Sequence, residues 1–81
     1  MNDTNEDNSF LILQKKANAF HVLGKVVHIS LHNDRWKRGT ITEVSSDFIM
    51  LEERLEGLVP VFFLEIKEID AYRGERDGSG K

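Results

Sequence analysis

Leu31-His32-Asn33-Asp34-Arg35-Trp36-Lys37-Arg38-Gly39-Thr40-Ile41 is the stretch on which the fold turns. Its centre, His32-Asn33-Asp34, is turn chemistry, because Asn and Asp tolerate positive φ and hydrogen-bond their own backbone. Before it, Val27, Ile29 and Leu31 alternate with His28 and Ser30, the period of a half-buried strand. After it, a second strand is predicted from about Arg35 to Val44, in which Gly39 marks a bend or a close backbone approach. Two such runs about a short polar turn read as an antiparallel hairpin.

Outward from the hairpin, strands continue on the C-terminal side. Ser45-Ser46-Asp47 turns the chain into a short third strand, Phe48-Ile49-Met50-Leu51, and Glu52 to Gly57 is a charged loop. Leu58 to Phe63 and Ile66 to Tyr72 complete five strands, with a tight step at Leu64-Glu65. Pro60 has no amide hydrogen for a ladder, so it belongs on an edge strand. On the N-terminal side, Phe10, Leu13, Ala17 and Phe20 recur at helical spacing. Ser9 suits an N-cap and Gly24 suits the left-handed residue that ends a helix, so a helix is predicted over about 9–22. The fold class that follows is mainly β: an N-terminal α-helix, then a five-stranded, strongly bent antiparallel barrel. Residues 1–8 and 73–81 are polar and charged, and are expected to be disordered tails around a domain spanning 9–72.

The 81 residues allow one small domain. Cysteine is absent, which excludes disulfides, thiolate nucleophiles and Cys-based zinc sites. A formal charge of -3 and a pI of about 5.5 exclude a chain that coats nucleic acid by charge alone. No apolar run is long enough for a membrane helix, and the acidic start is unlike a signal peptide, so a cytoplasmic protein with no membrane partner is expected. The charge is unevenly placed. Residues 25–39 hold Lys25, Arg35, Lys37 and Arg38 against Asp34, whereas 40–57 hold five acids against Arg54.

Within the positive stretch, Arg35, Trp36, Lys37 and Arg38 place three cations around one indole. Such a group can grip phosphates while the ring stacks on an unpaired base. The plainer reading is a solvated hairpin whose Trp36 packs on the helix or a neighbour. Lys15 and Lys16 lie on the polar side of the helix, where such residues mostly confer solubility. His21, His28 and His32 lack the spacing and partners of a metal site, and alternation puts His28 on the surface. Glu52, Glu53 and Glu56 have no nucleophile or base nearby in sequence and read as a solvated loop, and the glycines form no phosphate loop. No enzyme activity, metal or cofactor is expected. A core this small is marginal alone. Val59, Val61, Phe62 and Phe63, beside an edge-marking proline, are therefore candidates for an oligomer interface.

The stretch from Leu31 to Ile41 resembles the first motif of Sm-like (Lsm) proteins: a strand-ending leucine, a polar turn, a basic strand and a Gly-Thr-aliphatic step. Gly24-Lys25-Val26-Val27 also fits that family's passage from helix to first strand, and Ile66 and Ile69 fit the aliphatic spacing of its second motif. The resemblance covers about residues 10–72 and implies an Sm/SH3-like barrel, a homo-oligomeric ring of six or seven subunits, and single-stranded RNA as ligand. RNA-binding members carry an Asp-x-Met-Asn type segment where this chain has Ser45-Ser46-Asp47-Phe48, and an Arg-Gly pair where it has Phe62-Phe63. Phe48 joins Arg35, Trp36, Lys37 and Arg38 as a candidate RNA contact, and the site is expected to be atypical. Ser45 to Glu52, Val59-Pro60-Val61 and Glu65 to Ile69 also look like the C-terminal barrel of bacterial ribosome-maturation factors. That similarity implies the same topology without an Sm ring. The Phe62-Phe63 replacement and the net charge favour the alternative of an SH3-like protein-interaction module or scaffold without nucleic-acid binding.

Overall fold

The computed structural model describes residues 2–73, with side chains from Phe10 onward. Helix α1 spans Asn2–Leu23, and it is followed by strands β1 (Val26–Leu31), β2 (Trp36–Val44), β3 (Phe48–Glu53) and β4 (Gly57–Phe62). A 3-10 turn at Phe63–Glu65 leads into β5 (Ile66–Ala71). The helix starts seven residues before the predicted Ser9 cap, so Ser9 lies inside it. No Pro or Gly interrupts residues 2–23, so nothing in the backbone chemistry stops the helix short of Asn2. Most of the predicted C-terminal tail, residues 74–81, lies outside the described residues.

The helix ends as Gly24 predicts. Gly24 has a φ of 67°. Its amide donates to His21 O at 3.1 Å and the Lys25 amide donates to Phe20 O at 3.3 Å, which satisfies two otherwise unpaired terminal carbonyls. At the hairpin, Asp34 takes the positive φ, 70°. The Asn33 side-chain oxygen accepts from the Arg35 amide at 3.0 Å, so both turn residues act as their chemistry requires.

All strand pairs are antiparallel, in the order β4-β3-β2-β1-β5. The fold is thus a helix followed by a bent five-stranded sheet whose edges are β4 and β5. Pro60 sits on β4, the kind of position its missing amide demands. Register shifts in the β2–β3 and β1–β5 pairs break the ladder and increase local twist. Gly39 is a close approach between β2 and β3, because a Cβ there would lie 2.3 Å from Glu52 O.

Inward residues of all five strand segments meet in one core: Val27, Ile29 and Leu31 with Ile41, Ile49, Leu51, Val61, Ile66 and Ile69. Phe63 enters from the 3-10 turn, and Leu13 and Ala17 close the core from the helix. Phe20 packs beside them, whereas Phe10, at the outer end of the same stripe, is 43% exposed. Polar contacts fix the helix over the sheet. Gln14 Nε2 donates to Ser45 O at 3.3 Å and His21 Nδ1–H donates to Ile41 O at 2.9 Å. Lys16 forms an ion pair with Glu68 on β5 and also donates to Ile69 O. The Glu68 carboxylate, by hydrogen bond first, holds the Lys16 ammonium above the usual lysine range.

Candidate nucleic-acid interface

Strand alternation distributes the Arg35–Arg38 segment over two faces. Trp36 and Arg38 point outward with Thr40, whereas Lys37 shares the other side with Gly39 and Ile41. Lys37 Nζ reaches Glu56 in the β3–β4 turn at 3.2 Å, so its charge is partly matched. Arg35 lies in the turn and is exposed. Neighbours in sequence on a strand are not neighbours on a surface.

The outward pair acquires new neighbours from β1 and the end of β5. The register places His28 opposite Arg38 on one side and Asp70 on the other. The His28 ring stacks on Trp36, with centroids 5.0 Å apart and planes inclined by 26°. Trp36 remains 56% exposed, which leaves indole surface for a further ring. The Arg38 guanidinium lies 4.8 Å from the Tyr72 ring centroid and donates to the Tyr72 hydroxyl at 2.7 Å. That contact fixes a long side chain that would otherwise lose conformational freedom on binding. Tyr72 is itself held in line with the sheet, its amide donating to Val26 O at 2.9 Å.

Two open grooves flank Tyr72. One, of about 660 Å³, is lined by Arg38, Thr40, Glu52, Glu53 and Arg54 among others. The second, of about 520 Å³, is bordered by His28, Asp70, Ala71 and Arg73. Three arginines and three carboxylates share this surface, so the face is aromatic and amphoteric rather than strongly basic. Glu53 is held below the usual carboxylate range by the amides of Glu56 and Leu55, which donate to its Oε1 at 2.7 and 2.8 Å, and so caps the β3–β4 turn as an anion.

Phe48 stands apart from this cluster. It begins β3, beyond the far end of β2 from Trp36, and its ring meets Phe62 at 5.5 Å between centroids. Phe48, Met50, Leu58, Pro60 and Phe62 line the outward side of β3 and β4, an apolar patch. Of the apolar run from Val59 to Phe63, Val61 on β4 and Phe63 in the 3-10 turn are buried in the core and Val59 packs against it. Of the four apolar residues, Phe62 is the one that faces outward, 44% exposed.

His28 and Tyr72 carry no mark in the sequence as site residues. The signal that finds them is register: once Val27 and Ile29 face inward and Ser30 pairs with Trp36, His28 must share Trp36's face. The histidines do not converge; His21 bonds Ile41 O, His28 stacks on Trp36, and His32 lies in the hairpin turn, its amide donating to Glu65 O. Among the described residues no group of three or more His, Asp or Glu forms a metal-holding arrangement, and no helix is long and apolar enough to cross a membrane.

No protein-family model and no curated protein matches this chain. Among solved structures, the crystal structure of the pleiotropic translational regulator Hfq superposes with a TM-score of 0.66 at 17% sequence identity. The match covers 74% of this chain and 98% of that one. At that identity the likeness establishes architecture: the chain has the Sm-like fold, with a helix preceding a bent five-stranded antiparallel sheet.

Proposed function

We propose that this protein is a non-enzymatic, cytoplasmic Sm-like protein that assembles into a ring and binds single-stranded RNA. The observation that carries the reading is the exposed Trp36–His28 stack beside the fixed Arg38–Tyr72 pair, on a fold shared with a translational regulator. An indole open on one side accepts an unpaired base, and Arg38 supplies a pre-positioned cation for the adjoining phosphate. Base stacking rather than charge provides most of the affinity, because Glu52, Glu53 and Asp70 offset the arginines of this face.

Ring assembly is supported by the sheet's two edges. β4 and β5 are different edges of one sheet, and pairing one with the other on the next subunit is a heterologous contact that closes when the rotation per subunit divides the circle. The β4 backbone and the Phe62 side chain supply that contact; Val61 and Phe63 shape the strand from within.

The test has two parts. Light scattering over a range of concentrations reads the assembly, with a hexamer or heptamer expected. Fluorescence anisotropy with labelled single-stranded RNA at low ionic strength reads binding, with loss expected in Trp36→Ala and Arg38→Ala. A wild-type protein that binds no RNA under those conditions would falsify the RNA reading. The apolar patch of Phe48, Leu58, Pro60 and Phe62 favours a second reading, an SH3-like module that docks proteins. A monomer or dimer without RNA affinity points there.

A further inference from the structure

We infer that His28 couples RNA binding on this face to proton uptake: its protonation adds a positive charge beside Trp36 and tightens binding. The inference rests on the RNA reading above and concerns its regulation. Histidine is the side chain whose charge ordinarily changes between about pH 5 and 8. The His28 ring is half-buried against the sole tryptophan and borders a groove of about 520 Å³ that opens to solvent, so proton and ligand reach it from the same side. A cation there is directed at both an indole face and a phosphate bound beside it.

The groups facing His28 come from both flanking strands. From β2 they are Trp36 and Arg38; from β5 and its end they are Asp70, Tyr72 and Arg73. Glu68 follows on the same side of β5, opposite Ser30, and the helix adds Lys16, which pairs with Glu68 and whose charge also acts on Asp70. Tyr72 is engaged by Arg38. With the imidazole neutral, Arg38, Arg73 and Lys16 stand against Asp70 and Glu68; with it protonated, the local balance moves by a full positive charge. A phosphate close by favours that protonated state, and by linkage the protonated state favours the phosphate to the same degree. The stack also keeps the ring in place, so the added charge appears where the base and its backbone sit.

The experiment measures affinity for a labelled single-stranded oligoribonucleotide at constant ionic strength from pH 5.5 to 8, in the wild type and in His28→Gln. Binding about five-fold tighter at pH 5.5 is expected for the wild type, the scale of one added charge near phosphate in solvent, with a flat profile in the variant. Emission of Trp36 without RNA provides the second readout, because a protonated imidazole in contact quenches indole fluorescence. A step in emission between pH 5 and 8 that disappears in His28→Gln supports the inference. Wild-type binding that is independent of pH, or an unchanged step in His28→Gln, overturns the coupling and leaves the RNA reading intact. No binding at any pH overturns the RNA reading and the coupling together.

Discussion

The outward faces of β1, β2 and β5 differ sharply from those of β3 and β4, although all five strands belong to one sheet. The first carries Trp36, His28, Arg38 and Tyr72 with a balanced set of charges; the second carries Phe48, Met50, Leu58, Pro60 and Phe62. Their inward faces are the same, a continuous layer of Val, Ile, Leu and Phe. Burial imposes one chemistry on the inside, whereas the outside is free to carry two. The polar aromatic half suits a ligand with flat rings and phosphates, and the apolar half suits a protein surface.

The largest effect separates inside from outside within the apolar half. Phe63→Ala removes a fully buried ring and should cost about 3–5 kcal/mol in chemical denaturation, whereas Phe62→Ala should cost under about 1 kcal/mol. Equal losses would mean that Phe62 is as buried as Phe63, in the protomer's core or in the contact between subunits. Next comes the contrast between the two halves as ligand surfaces. Trp36→Ala should weaken RNA binding by about 1–3 kcal/mol, and Phe48→Ala should leave it unchanged. Equal weakening would unite the halves into one RNA surface.

A smaller effect concerns salt. Because carboxylates offset the arginines on the polar half, log affinity should fall with log salt at a slope of only about -1 to -2, given about 0.7 for each phosphate neutralised on a single strand. A much steeper slope would show that cations elsewhere carry the binding. The smallest effect is at the β3–β4 turn between the halves. Two amides hold Glu53 below the usual carboxylate range, so the folded state binds its proton less readily than the unfolded chain. Stability from this cap is therefore present above the ordinary value of 4.5 and is lost as pH falls below it. Glu53→Gln should be less stable than wild type at pH 7, with the gap narrowing as pH falls below 4.5 in paired thermal melts.

Much of the fold was legible in local chemistry. The Asn33-Asp34 turn, the Gly24 helix end, the tight approach at Gly39 and the edge position of Pro60 each follow from a constraint within one or two residues. The helix start was not legible, since Ser9 can cap a helix or sit inside one, and the helix runs from Asn2. The site was legible only in part. Trp36 and Arg38 stood out by residue type, but their separation from Lys37 depends on strand alternation, and their union with His28 and Tyr72 depends on register.

The sequence by itself determined the order of elements, the inward residues and the turn positions, because those depend on periodicity and on backbone preferences that act over a few residues. Which outward residues meet depends instead on how the strands pair. His28, Trp36, Arg38 and Tyr72 come from three parts of the chain, and pairing β1 with both β2 and β5 is what brings them together. Burial selects strongly for residue type at each inward position and weakly at each outward one. The core could therefore be read from the order of residues, and the binding face had to await the register of the strands.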